Sequence, residues 1–131
     1  LKVLLDTHIW IWAVNGSDKL GRAVRRVLEN PANELFLSPV SIWEGHHLEH
    51  RGRLRFRGGF DAWVDTALRL IPLSEAPLNF EVARAASRIR LPEPDIGDIF
   101  LAATASVFGL TLATADEQLL ASRWLKTLPN R

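Results

Sequence analysis

Four acidic side chains, far apart in the chain, are the residues best suited to chemistry. Asp6 closes the apolar run "LKVLLD", and Asp116 follows "LTLAT". Glu44 lies inside "PVSIWEGHHLEH", four residues after Val40 and four before Leu48. Asp98 is the second acid of "DIGDIFLAATASVFG" and precedes Leu101, Ala102 and Ala105 by three, four and seven places. On a helix, such spacings put residues on one face. Glu44 and Asp98 are thus aligned with apolar stripes, where a carboxylate is costly without a partner. No Lys or Arg stands three or four residues from Glu44 to pair with it. If the four acids converge, repulsion and desolvation would protonate some of them, and a divalent cation would remove both penalties. An all-oxygen ligand set suits Mg²⁺ or Mn²⁺ rather than a soft metal. Two such ions can activate a water and stabilise the leaving oxygen in phosphodiester cleavage.

A structural reading competes with this one. Asp6, Asp95, Asp98 and Asp116 all fall near predicted helix starts, where a carboxylate caps free N–H groups and complements the helix dipole. Capping explains Glu44 and Asp98 least well. Glu44 is mid-helix, and Asp95 already serves as the cap ahead of Asp98.

The elements that must position these acids read as alternating strands and helices. "LKVLLD" predicts a buried strand and "THIWIWAV" a short helix ending near Asn15-Gly16. Ser17 is the expected N-cap of a second helix, with Leu20, Ala23, Val24, Val27 and Leu28 inward and Asn30-Pro31 as its stop. "ELFLS" predicts a strand, and Ser38-Pro39 starts a helix that runs to Gly52. "RGRLRFRGG" is a turn-rich basic segment. "FDAWVDTALRL" is helical, with Phe60, Trp63, Val64, Ala67 and Leu68 in phase. "LIPLS" predicts a third strand, and "NFEVARAASRI" a helix closed by Pro92 and Pro94. The Asp95–Phe108 helix is apolar almost all round and should be buried, with Gly109 as its C-terminal cap. "LTLAT" predicts a strand, "DEQLLASRW" a last helix and "LKTLP" a final edge strand. The pattern predicts one α/β domain over residues 1–131, a short central parallel sheet flanked by helices on both faces. Sites in such sheets form beyond the carboxyl ends of the strands, which would bring all four acids to one rim.

Composition narrows the class. A chain of 131 residues can bury a real core without covalent staples. It has no cysteine, which excludes disulfides and thiolate metal sites and fits a reducing, cytoplasmic setting. The net charge is +1, so the chain as a whole is no polycation, yet Arg outnumbers Lys 13 to 3. Guanidinium groups favour bidentate phosphate and carboxylate contacts. No apolar run approaches the roughly 18 residues of a membrane span, and no signal peptide is visible in a sequence that starts at Leu1.

Arg51, Arg53, Arg55 and Arg57 fall at every second position, so an extended segment would point all four one way as a phosphate-binding strip. The alternative is a solvated loop. His46 and His50 have the spacing of two zinc ligands on one helix face but lack a third nearby, apart from the distant His8. Trp43 and Trp63 fit core stripes. Trp10 and Trp12 lie on different faces of a short helix, so one of them should be exposed.

These residues resemble the PIN-domain ribonucleases, and closely the VapC-type toxins of bacterial toxin–antitoxin pairs. The resemblance rests on "LLDTH" (4–8), "SIWEGH" (41–46), "GRL" (52–54), "LPEPDIGDIFLAATA" (91–105) and "LATAD" (112–116), in this order over essentially the whole chain. It implies a PIN-like fold and metal-dependent endoribonuclease activity with Mg²⁺ or Mn²⁺. It places the metal-binding acids on Asp6, Glu44, Asp98 and Asp116, an additional acid on Asp95, and a supporting hydroxyl on Thr114. It implies a homodimer and a VapB-type antitoxin whose tail occupies a groove, with Trp10 or Trp12 as the partner-surface candidate. Two positions depart from the pattern. Leu48 stands where many relatives carry a Lys, and Ile99 where many carry an Arg, which bears on substrate positioning.

Other acidic α/β folds fit less well. A haloacid-type phosphatase needs a second Asp where His8 stands. A response-regulator receiver needs an acid pair near its first strand and a Lys near its last, and the only lysines are Lys2, Lys19 and Lys126. A different class stays open, a PIN domain that is catalytically weak and acts as an RNA- or protein-binding module.

Overall fold

Alternating burial along the first strand sets the architecture. In β1 (Lys2–Leu5), Val3 and Leu5 join one hydrophobic cluster and Leu4 another, and all three are fully buried. Successive strand side chains point to opposite faces, so a strand apolar on both must be covered on both. The computed structural model describes all residues, Leu1–Arg131. After β1 come α1 (Thr7–Asn15), α2 (Arg22–Glu29), β2 (Glu34–Leu37), α3 (Pro39–His50), α4 (Phe60–Leu70) and β3 (Ser74–Glu75). They are followed by α5 (Phe80–Ala86), α6 (Ile96–Phe108), β4 (Thr111–Thr114), α7 (Glu117–Leu120) and β5 (Thr127–Pro129). The five strands form one parallel sheet in the order β3-β2-β1-β4-β5, flanked by helices on both faces.

On one face, Ile9 and Trp10 of α1, Val24 of α2, and Phe60 and Val64 of α4 pack on Val3, Leu5, Leu35 and Leu37. Phe56, Phe60, Trp63 and Trp10 form an aromatic group there, with ring centroids 4.9 Å apart in three of its pairs. On the other face, Leu101, Ala102 and Ala105 of α6 pack with Leu4, Val40, Leu112 and Leu119. The opposite side of α6 is covered by α5 through Val82, Ala86 and Ala103. Thus α6 is covered on two sides, as its apolar circumference predicts. Gly109, at φ 64°, caps its C-terminus by donating to Ala105 O.

Several elements differ from the expectation. Ser17 does not cap α2. Its hydroxyl accepts from Lys19 N in a turn, and α2 starts five residues later, after Gly21. The free N–H groups at that end are met from far along the chain, by Asn130 Oδ1 for Gly21 (2.7 Å) and by Arg131 O for Ala23 (2.8 Å). The helix from Asn79 is shorter than predicted. Ser87 Oγ turns back to Arg84 O, and Arg90 donates to Ser87 O, so side chains compete with the helical ladder. The last helix spans only Glu117–Leu120, because Ser122 Oγ turns back to Gln118 O before the chain enters β5. The third strand is only two residues long and follows Pro72, which has no N–H to donate. The basic segment is not one extended run. Turns occupy 51–52 and 57–58, and Gly52 and Gly58 have positive φ.

The tryptophans are sorted differently as well. Trp10 is fully buried, and its Nε1 has no hydrogen-bond partner, so it offers no partner surface. Trp12 is half-buried. Trp43, expected in the core, is 58% exposed and belongs to none of the hydrophobic clusters. Leu68 also reaches the surface, although Phe60, Val64 and Ala67 of its stripe are buried.

Candidate active site

The strand order reverses direction between β1 and β4, and the carboxyl ends of these neighbours open a crevice. Asp6 is the first residue after β1, and its N–H still pairs with Ala113 O of β4 (3.0 Å). Its Oδ1 accepts from Thr7 N (2.7 Å), which caps α1, and its Oδ2 accepts from the Thr114 hydroxyl (2.6 Å). Thr114 is buried, and its oxygen accepts from Asp116 N (3.0 Å). Asp116 in turn caps α7, with Oδ1 accepting from Gln118 N and Leu119 N. One hydroxyl therefore fixes the spacing of the acids that follow β1 and β4.

Two helices bring the remaining acids to the same place. Glu44 Oε1 accepts from the Thr7 hydroxyl (2.7 Å), which also lies 2.9 Å from the buried Ser41 Oγ. The Glu44 carboxylate rests against the backbone of α6 at Gly97, where a Cβ would overlap its oxygens. In the first turn of α6, Asp98 accepts from Gln118 Nε2 at Oδ2 (3.2 Å), and its own N–H is capped by Asp95 Oδ1 (2.9 Å). Capping is therefore real for Asp6, Asp95 and Asp116, and does not account for Asp98 or Glu44. It also leaves oxygens spare. Glu44 Oε2, Asp98 Oδ1 and Asp116 Oδ2 accept no hydrogen bond.

Asp6, Glu44, Asp95, Asp98 and Asp116 all line one open cleft of about 740 Å³. They share it without forming a finished metal cage, for no three acidic or histidine side chains stand close enough together to hold one ion. Each carboxylate sits where its own hydrogen bonds hold it. The donor set still fits a hard divalent cation, since it consists of carboxylate oxygens, three of them free, on or beside regular elements.

Burial dominates the electrostatics. It raises the Asp6 carboxyl above the usual range, against the lowering effect of the Thr114 hydroxyl. It raises Glu44 likewise, opposed by the Thr7 hydroxyl. Asp98 is pushed up to about 7, by burial first and then by the charges of Asp116, Asp95 and Asp6, with Gln118 opposing. Between the ordinary Asp value of 3.8 and about 7, folded Asp98 holds a proton that the unfolded chain has lost. The folded state then binds more protons, so stability falls as pH rises through that window. In EDTA the melting temperature should therefore drop from pH 5 to pH 8, and Asp98→Asn should flatten the slope. A flat or rising profile for the unaltered chain would contradict this electrostatic picture.

The basic segment divides at the cleft. Arg51 and Arg53 line it, while Arg55 and Arg57 do not. His46 and His50 are not among the residues that line it. Of the two departures, Leu48 lines the cleft, whereas Ile99 packs against the cores around α6. Three contributors escaped sequence reasoning. Thr7 directly follows Asp6, so its position in "LLDTH" was a usable signal. Gly97 and Gln118 gave none, since both depend on where α6 and α7 meet their neighbours.

An all-parallel α/β sheet with five carboxylates around a cleft at its switch point defines the class, an α/β domain with an acidic site. The sequence signature of the PIN domain matches residues 3–123, and the chain belongs to the PIN domain family. Among solved structures, VapBC2 from Rickettsia felis, bound to a DNA fragment from its promoter, is similar with a TM-score of 0.72. Sequence identity there is 16%, over 98% of both chains. VapBC-1 from nontypeable Haemophilus influenzae has a TM-score of 0.68 at 15% identity, again over 98% of both chains. FitAcB from Neisseria gonorrhoeae has a TM-score of 0.67 at 20% identity, covering 98% of this chain and 97% of the other. At these identities the likeness concerns the fold. No curated protein sequence matches the chain. No helix is long and apolar enough to cross a membrane.

Proposed function

We propose that residues 1–131 act as a single PIN-like domain, a Mg²⁺- or Mn²⁺-dependent endoribonuclease that serves as the toxin of a VapBC-type pair in the cytoplasm. The observation that carries this reading is the cleft itself. Four separate elements deliver Asp6, Glu44, Asp98 and Asp116 to it, and the hydrogen bonds of Thr114, Thr7 and Gln118 hold three of them there. These four acids would hold the metal, which when bound supplies Lewis acidity and an activated water. The chain's own part is preorganisation. Thr114 sets Asp6 against Asp116, Gly97 seats Glu44, and Gln118 orients Asp98. Asp95 supports Asp98 through its N–H, and Arg51 and Arg53 meet RNA phosphates at the mouth.

Partners follow from the same reading. The similar structures include VapBC complexes, and this chain is proposed to bind a VapB-type antitoxin and to form a homodimer. With Trp10 buried, Trp12 remains at the cleft as the candidate partner contact from α1. The separation of the acids favours a second reading, a catalytically weak PIN domain that binds RNA or protein. Incubating the pure chain with a fluorogenic RNA separates the two. The nuclease reading expects cleavage with Mg²⁺ or Mn²⁺ and none in EDTA. Binding without cleavage in any metal would leave the binding module.

A further inference from the structure

One stripe of the cleft lining carries no acid and makes no side-chain hydrogen bond to the carboxylates. Trp43, His47 and Arg51 stand four residues apart and so follow one stripe along α3 and its C-terminal cap, beside Glu44. All three line the cleft, with Arg53 next to them. The rings of Trp43 and His47 are nearly parallel, at 11°, with centroids 5.2 Å apart. This stack holds the indole at the cleft mouth, although Trp43 is 58% exposed and adds nothing to the core. Its neighbours along the stripe are an imidazole and a guanidinium, the kind of basic groups that track a nucleic-acid backbone beside stacked bases.

We propose that Trp43 is a base-stacking platform for single-stranded RNA. An unpaired nucleobase lies on its indole, Arg51 and Arg53 hold the adjoining phosphates, and the backbone is thereby led across Glu44 into the acidic cleft. Exposed aromatic faces interleaved with basic groups are how proteins take unstacked bases, and a continuous duplex offers no free base face. The inference rests on the nuclease reading above and assigns Trp43 as the residue that positions the strand at the cut site. Trp43 positions the strand and takes no part in the bond-breaking step.

The test compares the unaltered chain with Trp43→Ala and Trp43→Phe in Mn²⁺. The substrates are a fluorogenic single-stranded RNA and the same strand annealed to its complement. Loss of one stacked base weakens binding about 5- to 160-fold. Trp43→Ala should therefore raise KM by about that factor with little change in kcat, and Trp43→Phe, which keeps an aromatic face, should recover most of it. The annealed substrate should be cut poorly by all three proteins. Anisotropy of the labelled single strand in EDTA should show the same order of affinities without any turnover. If the unaltered chain cleaves but Trp43→Ala has the same KM and the same affinity in EDTA, the stacking role is overturned. It is overturned as well if Trp43→Ala changes only self-association in sedimentation, which would make Trp43 a protein contact. If the unaltered chain cleaves no RNA in any metal yet binds the single strand in a Trp43-dependent way, the nuclease reading fails and the stacking platform stands.

Discussion

Asp98→Asn should abolish RNA cleavage and leave the fold intact. Asn keeps the shape of Asp, and Asp98 caps nothing, so no helix loses its start. The amide can still meet Gln118, but it brings no charge to the cleft. Losing even an outer partner of a metal ligand commonly costs 10- to 100-fold, so losing a ligand should cost at least about 100-fold in kcat/KM. Stability should move in the opposite direction. In EDTA near pH 8, Asp98 is ionised against the charges of Asp116, Asp95 and Asp6, and its removal relieves that repulsion. The variant should then melt at or above the unaltered chain. In millimolar Mn²⁺ the unaltered chain gains stability by mass action, the variant gains less, and the order should close or reverse. Paired melting curves with one cleavage assay check all of this. Surviving cleavage would contradict a metal role for Asp98.

Gly97→Ala should also lower cleavage, through a residue with no chemistry of its own. The added methyl would occupy the space of the Glu44 carboxylate. That carboxylate is the far end of a flexible side chain, so it can move aside at little cost to the fold. Alanine is also the better helix former. The expected result is a nearly unchanged melting temperature with cleavage reduced about 100-fold, the scale on which small misplacements of reacting groups act. Adding Glu44→Asp, which is one methylene shorter, should recover part of the loss if displacement is the cause. Full activity in Gly97→Ala would mean that the seat of Glu44 against α6 is not needed.

The acids were legible because each breaks a local rule or ends an element. Glu44 and Asp98 interrupt apolar stripes, and Asp6 and Asp116 terminate apolar strands. The alternation of elements then predicts a parallel sheet, whose switch point gathers its strand ends. What escaped depends on contacts distant in sequence. The N–H groups at the start of α2 are satisfied by Asn130 and Arg131, so no local residue marks where α2 begins. Trp43 and Trp63 sit at equivalent places in apolar spacings, yet one faces the cleft mouth and the other the aromatic group on the sheet. Periodicity reports that a face is apolar but not what covers it. The every-second-residue arginines pointed to an extended strip, and the turns at Gly52 and Gly58 divide it.

Whether Asp6, Glu44, Asp98 and Asp116 together hold a divalent ion, as the proposed RNA cleavage would need, is tested most directly by Mn²⁺ affinity. Electron paramagnetic resonance at pH 8 would measure it on five proteins: the unaltered chain, Asp6→Asn, Glu44→Gln, Asp98→Asn and Asp116→Asn. Binding by the unaltered chain, weakened at least about 10-fold by each substitution, is the expected result for direct ligands. An affinity that none of the four substitutions changes, or no binding by the unaltered chain at millimolar Mn²⁺, would contradict that role.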